Sequence, residues 1–173
     1  MRKTTKTIGV IGVGIMGEGI AANYLKKGYN VVWNRSKDKL KRLIAKGAIP
    51  SDSPKEATSK SDIIFEVTAN DESSRSVWLG EDGILAGATP EKILIVSSTL
   101  SIPWIDELVK LCSERNLIFF DMPMTGGRIG AESGKLILLI GGDLQKLKIM
   151  GEDLKPIMER VSYFGKAGSG MRF

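Results

Sequence analysis

The sequence has no histidine and a single cysteine, Cys112. The first absence excludes Ser-His-Asp and Cys-His catalysis, histidine-ligated metals, and the dehydrogenases that use histidine as acid/base. Any proton transfer must come from another residue type. The lone cysteine excludes an intrachain disulfide and a cysteine metal cluster. Cys112 falls in an apolar-periodic run, residues 104–114, so it is expected to be a small core hydrophobe and not a reactive thiol. Long apolar runs are missing too. Residues 136–140 are strand-sized and too short to span a bilayer. The opening Met1-Arg2-Lys3-Thr4-Thr5-Lys6 is basic but lacks the apolar stretch of a signal peptide. These absences predict a cytoplasmic protein with no metal and no membrane partner.

What is present fits a single domain. A chain of 173 residues can bury about 68–70% of its unfolded surface, enough for a core without staples. Its net charge of +5 permits an anionic ligand. The basic residues are spread along the chain. The densest group, Lys37 to Arg42, resembles a solvated helix face. No lysine-rich tail or aromatic-basic interleaving appears, which argues against a nucleic-acid partner.

Short β-rich runs alternate with helical ones. Strands are expected at residues 7–11, 30–33, 63–67, 93–97, 118–121, 136–140 and 161–164. Helices are expected at 16–27 (stopped by Gly28), 37–46 (stopped by Gly47), 72–78 and 103–114. A further one opens at Ser53-Pro54-Lys55-Glu56. A last helix at 143–158 is broken by Gly151 and Pro156. This rhythm predicts an α/β fold: a Rossmann-type doubly wound, mostly parallel sheet, its last strands departing from parallel order.

Gly12-Val13-Gly14-Ile15-Met16-Gly17 follows the first strand and opens the first helix. In that context Gly-x-Gly-x-x-Gly is a dinucleotide turn. Gly12 allows the tight turn, Gly14 admits the pyrophosphate, and Gly17 lets helix and strand pack closely. The anion sits on the helix N-terminus, beside Ile15 and Met16. The alternative is a glycine-rich turn that binds nothing. After the second strand comes Asn34-Arg35-Ser36, with no carboxylate for a ribose 2′-hydroxyl. Arg35 can pair with a 2′-phosphate or stack on adenine, with the Ser36 hydroxyl beside it. NADP is therefore the expected cofactor, with NAD binding more weakly. The alternative for Arg35 is an ordinary surface loop residue.

Three segments together resemble the β-hydroxyacid dehydrogenase family, which includes 3-hydroxyisobutyrate dehydrogenase, glyoxylate/succinic semialdehyde reductase and 6-phosphogluconate dehydrogenase. They are the turn with Asn34-Arg35-Ser36, the run Ser97-Ser98-Thr99-Leu100-Ser101-Ile102-Pro103, and Asp121-Met122-Pro123-Met124-Thr125-Gly126-Gly127. The second resembles the family's Asp-x-Ser-Thr-x-x-Pro, without the Asp. The third resembles Asp-Ala-Pro-Val-Ser-Gly-Gly and continues through Gly130-Ala131-Glu132-Ser133-Gly134-Lys135 to Gly141-Gly142.

The resemblance implies roles. Thr125, Gly126 and Gly127 would bind a small carboxylate-bearing substrate, and Thr125 would be the site's reactive-side hydroxyl. Thr68, Ala69 and Asn70 would lie along the cofactor, as would Ser98 and Thr99. For Thr68 and Asn70 a simple turn role is the alternative. The family's acid/base is a Lys in Gly-x-Gly-x-x-x-Lys. Laid on Gly168-Ser169-Gly170-Met171-Arg172-Phe173, it falls one position past Phe173. Residues 1–164 would then be the NADP-binding domain. Residues 165–173 would begin a linker to a helical C-terminal domain, through which the parent forms a homo-oligomer. The expected parent activity is hydride transfer between NADP and a small 3-hydroxy acid or semialdehyde, with the chain alone inactive. Two other readings are an imine reductase-like domain and a non-catalytic scaffold of the same fold.

Overall fold

Runs rich in Ile, Val and Phe form the strands, because their side chains pack well on both faces of a covered sheet. The computed structural model describes residues 6–28 and 31–173. Asn30 and the basic Met1 to Thr5 lie outside the described residues. Among the described residues nine strands form one sheet: β1 (Ile8–Ile11), β2 (Val31–Trp33), β3 (Ile49–Pro50), β4 (Ile63–Glu66), β5 (Ile93–Val96), β6 (Ile118–Asp121), β7 (Met124–Thr125), β8 (Leu136–Gly141) and β9 (Met158–Gly165). Their order is β3-β2-β1-β4-β5-β6-β8-β7, with β9 also pairing β8. The first six run parallel. Both β6 and β7 meet β8 antiparallel, and β9 returns parallel to it. The strand order reverses between β1 and β4. That switch point opens a crevice at the carboxyl ends of the strands, where ligands of open α/β sheets bind.

The helices are α1 (Ile15–Leu25), α2 (Lys41–Ala45), α3 (Pro54–Ser59), α4 (Asp71–Trp78), α5 (Ile84–Gly87), α6 (Ile102–Glu114), α7 (Gly127–Ser133) and α8 (Leu144–Leu154). Strand alternation divides the core in two. Ile8, Val10, Ile63, Phe65, Ile93 and Ile95 face Ile20 and Tyr24 of α1, Ala131 of α7, and Met150 and Leu154 of α8. Ile11, Ile64, Leu94 and Val96 face Trp78, Trp104, Leu108 and Cys112 on the other side. Burial pushes the Cys112 thiol up to about 12, so it stays protonated and packs as a hydrophobe.

Several boundaries differ from the sequence expectation for local reasons. The last helix is continuous through Gly151 and stops at Leu154, not at residue 158. Met150 and Leu154, both buried, hold the turn around the glycine. Pro156 cannot donate the next helical hydrogen bond, and the chain turns into β9. That strand begins at Met158, earlier than residue 161, because β8 offers it a full-length edge. The helix expected at 37–46 opens instead as a 3₁₀ turn over Lys37–Leu40 before becoming α2. Strands β3 and β7 and helices α5 and α7 have no clear sequence signal. Three are under five residues long, and α7 carries two glycines.

Helix α7 forms because α1 accepts it at very short range. A Cβ on Gly19 would stand 2.7 Å from the Ala131 carbonyl carbon. Asn23, also on α1, donates to the Ala131 carbonyl at 2.7 Å. The helix that starts at the Gly12–Gly17 turn is thereby fastened to the helix that starts at Gly126-Gly127.

Candidate functional site

At the carboxyl end of β1 the chain makes its tight turn. Gly12 has φ +94°, and a Cβ there would fall 2.1 Å from the Val67 carbonyl oxygen. At Gly17 a Cβ would fall 2.0 Å from the Gly12 carbonyl oxygen. Gly14 differs: it is exposed, caps α1 through its backbone alone, and has nothing within 4 Å of a would-be Cβ. The first N–H groups of α1 have no side-chain cap there. Their unpaired donors and the helix dipole favour an anion.

Asn34 is buried and spent on the loop itself. Its Oδ1 accepts the Val13 N–H at 2.8 Å, and its Nδ2 donates to the Ser36 carbonyl at 3.0 Å. It therefore ties the glycine turn to the end of β2 and positions Arg35. A cleft runs from Gly12 and Gly14 past Asn34, Arg35 and Ser36 to Thr68 and Ala69. Of the sequence-derived site residues, the structure brings these seven together. Trp33, Lys39, Val67, Ser73, Ser76 and Val77 complete the lining. No carboxylate is among them. Val67, Ala69 and Val77 give an apolar wall, while Arg35 and Lys39 give the cations.

Lys39 was the residue the sequence hid. It lies in the basic run that looked like a solvated face, and that face is in fact divided. Lys37 turns away and donates to the Ser51 carbonyl at 3.0 Å. Lys41 pairs with Asp38 at 2.7 Å and Arg42 with Glu18 at 3.0 Å. Lys39, four positions after Arg35 across the 3₁₀ turn, lines the cleft.

The other expected contacts lie beyond this lining. Ile15 is exposed beside Gly14, and Met16 packs partly against the first core. The Asn70 Oδ1 caps α4 by accepting the Ser73 N–H at 2.9 Å. Thr99 is exposed, whereas Ser98 is buried. Thr125, Gly126 and Gly127 form an exposed bend between β7 and α7, with both glycines at positive φ.

The last register row of the sheet carries two buried carboxyls. Ile11, Glu66, Val96 and Asp121 are successive partners across β1, β4, β5 and β6. Glu66 Oε1 accepts from the Thr68 hydroxyl and from the Ser98 hydroxyl, the latter at 2.9 Å. The Thr68 N–H donates to Ser98 Oγ at 2.6 Å. Burial raises the Glu66 carboxyl above its ordinary range. Asp121 accepts the Gly168 N–H on one oxygen and the Met171 N–H on the other, both at 2.6 Å. Residues 166–171 are thus held to the sheet, and Ala167 and Met171 pack on the second core. A single Glu inside the apolar run 63–67 was the signal that could have flagged Glu66.

Comparison with known proteins agrees with this geometry. The family model described as the NAD binding domain of 6-phosphogluconate dehydrogenase matches residues 7–165. The chain belongs to that family. It is 37% identical over 167 residues to "Probable 3-hydroxyisobutyrate dehydrogenase-like 3, mitochondrial" of Arabidopsis thaliana, covering 94% of this chain and 51% of the relative. Among solved structures, it superposes on the 3-hydroxyisobutyrate dehydrogenase of Mycobacterium tuberculosis with L-serine at a TM-score of 0.90. That match has 27% identity and covers 98% of this chain and 57% of the other. It also superposes on Psf3 in complex with NADP+ and 2-OPP, with a TM-score of 0.91 and 25% identity, covering 96% and 59% of the two chains. The chain thus spans about half the length of the relatives it matches. Its fold is the NAD(P)-binding Rossmann domain of that family, and in sequence it is similar to 3-hydroxyisobutyrate dehydrogenase-like proteins.

Proposed function

We propose that the cleft binds NADP in preference to NAD. We propose further that the whole protein transfers hydride between NADP and a small 3-hydroxy acid or its semialdehyde. The observation that carries this reading is the cleft lining. An uncapped helix N-terminus at Gly14 adjoins Arg35, Ser36 and Lys39, with no carboxylate among the lining residues. A dinucleotide fits these residues: Gly14 leaves room where its pyrophosphate would pass, and the two cations suit a 2′-phosphate. When bound, NADP supplies the hydride acceptor.

This chain's own residues would then bind and orient. The turn Gly12–Gly17 offers backbone N–H groups. Asn34 keeps Arg35 in place. Arg35 and Lys39 read the 2′-phosphate, and Val77 of α4 takes the adenine face. The Thr125 hydroxyl and the Gly126-Gly127 backbone would hold the substrate carboxylate. The sequence has no histidine to exchange the hydroxyl proton. The family resemblance assigns that step to a Lys after Gly168-Ser169-Gly170, and Asp121 fixes that segment's approach.

Fluorescence titration of the 173-residue chain with NADPH and NADH tests the reading. Tighter binding of NADPH supports it, and equal or reversed affinity overturns the cofactor assignment. For the reaction, NADP-dependent oxidation of 3-hydroxyisobutyrate, glycerate and 4-hydroxybutyrate should be undetectable with these 173 residues. It should appear when these residues are fused to the Lys-bearing segment and the rest of a full-length relative.

A further inference from the structure

Glu66 is a charged residue type placed where the core needs an aliphatic one. Its register neighbours on either side, Ile11 and Val96, are aliphatic and buried. The residue itself is fully buried, and no salt bridge reaches it among the described residues. Burying an acid without a counter-ion is costly. The hydrogen bonds show what the carboxyl does in return. One oxygen, Oε1, gathers the hydroxyls of Thr68 and Ser98, which stand on different strand-end loops. The Thr68 N–H closes the set onto Ser98 Oγ at 2.6 Å. Thr68 lines the cleft, and Ser98 lies directly behind it. Among the described residues the second oxygen, Oε2, has no partner at full hydrogen-bond geometry; the buried indole N–H of Trp78 is the group that acts on the carboxyl beside the two hydroxyls, favouring its charged form.

The position matters as much as the bonding. Arg35 follows β2, while Ser98 follows β5, three strands away in the order β2-β1-β4-β5. At about 4.8 Å per strand, these loops stand roughly 14 Å apart. A dinucleotide held at Arg35 by its adenosine end and at Gly14 by its pyrophosphate extends its other half toward β4 and β5. The loops that Glu66 unites are the ones this second half meets.

We propose that Glu66 is a positioning residue of the cofactor cleft: by holding Thr68 and Ser98 on one oxygen, it fixes the loops after β4 and β5 for the nicotinamide half of the dinucleotide. The proposal rests on the reading that the cleft binds NADP. It separates Glu66 from the residues that grip the adenosine half. Burial favours the neutral form of the carboxyl, which acts as an acceptor through Oε1 much as an amide oxygen would.

Calorimetric titration of the 173-residue chain tests this. The ligands are NADPH and adenosine 2′,5′-bisphosphate, which carries the adenosine half alone. Glu66→Leu removes both hydrogen bonds and should weaken NADPH about tenfold. Binding of the bisphosphate should change by less than about twofold, since among the described residues Gly14, Arg35 and Lys39 make no hydrogen bond to Glu66, Thr68 or Ser98. Glu66→Gln keeps the acceptor and should return NADPH to within about threefold of the parent. Equal losses for both ligands in Glu66→Leu would make the residue a general stabiliser and overturn the proposal. So would unchanged NADPH binding in that variant, or a Glu66→Gln variant as weak as Glu66→Leu. If Glu66→Leu fails to fold by circular dichroism, Thr68→Val carries the test. It removes one donor at constant shape and should weaken NADPH alone, by about threefold; no change overturns the proposal. Failure of the unsubstituted chain to bind NADPH would sink the functional reading and this one together. Normal binding with unaffected variants would sink this one alone.

Discussion

The carboxylate of Asp121 accepts the backbone N–H of Met171 at 2.6 Å, across fifty residues of chain. Its other oxygen does the same for Gly168. A side chain at the end of β6 therefore dictates where residues 168–171 run. Asp121→Ala leaves both donors without their acceptor. The variant should lose about 1–3 kcal/mol of stability in urea unfolding, the range for leaving buried donors unsatisfied. The amides of Gly168 and Met171 should also exchange with deuterium faster than those of β5. Unaltered protection at those two amides would show that packing of Ala167 and Met171 holds the segment instead.

Arg35 and Lys39 should act on one phosphate. Arg35→Ala is expected to weaken NADPH by about 1.5–3 kcal/mol and to leave NADH nearly unchanged. Lys39→Ala should show the same selectivity with a smaller loss, because an ammonium makes a less directional contact. If Arg35→Ala weakens both cofactors equally, the guanidinium stacks on adenine and does not read the phosphate.

Two of the turn glycines should separate by mechanism. Gly14→Val meets open space and should fold with a thermal midpoint close to the parent's, yet bind no dinucleotide. Gly17→Val drives a Cβ to 2.0 Å from the Gly12 carbonyl oxygen and should fail to fold or unfold at much lower temperature. Thermal melts paired with NADPH titrations distinguish the two. A Gly14→Val variant that binds NADPH normally would move the pyrophosphate elsewhere.

Burial, the largest influence on Glu66, raises its carboxyl above the ordinary 4.5; the other groups acting on it, Thr68, Ser98 and Trp78, are uncharged. The folded protein therefore keeps this proton to higher pH than the unfolded chain does. Stability from the group is complete below about pH 4.5 and is lost as pH rises through the raised value. Glu66→Gln carries no such proton. Its melting temperature relative to the parent should climb as pH is raised from 4.5 toward neutrality, and then level off. A difference that stays constant with pH would place the Glu66 carboxyl in its ordinary range.

The parallel sheet and the glycine turn were legible because both are written in local patterns. Apolar runs such as 63–67 and 93–97 announce buried strands, and Gly28 and Gly47 announce helix ends. Ser53 caps α3 as its sequence suggests, accepting the Glu56 N–H at 3.1 Å. What stayed hidden depends on contacts between distant segments. Helix α7 has poor intrinsic propensity and exists because Gly19 lets α1 approach it. Asn34 lines the cleft as expected, but its tie between Val13 and Ser36 is a contact no local pattern shows. Lys39 could not be told from Lys37 without knowing which way each faces off the 3₁₀ turn. Glu66 and Asp121 are far apart in sequence, and only strand register puts them in one row.

The contact between Gly19 and Ala131 has a consequence for how far the bend after β7 can move. Two helices packed this closely, with the Asn23 amide bonded across the seam, leave no room for a side chain at Gly19. The bend at Thr125-Gly126-Gly127 therefore cannot slide relative to the Gly12–Gly17 turn without parting that seam. Evolution or engineering at this site is left with the side chains on the bend, and with whatever surface meets it from outside. Its distance from the Gly12–Gly17 turn is a fixed dimension of the fold.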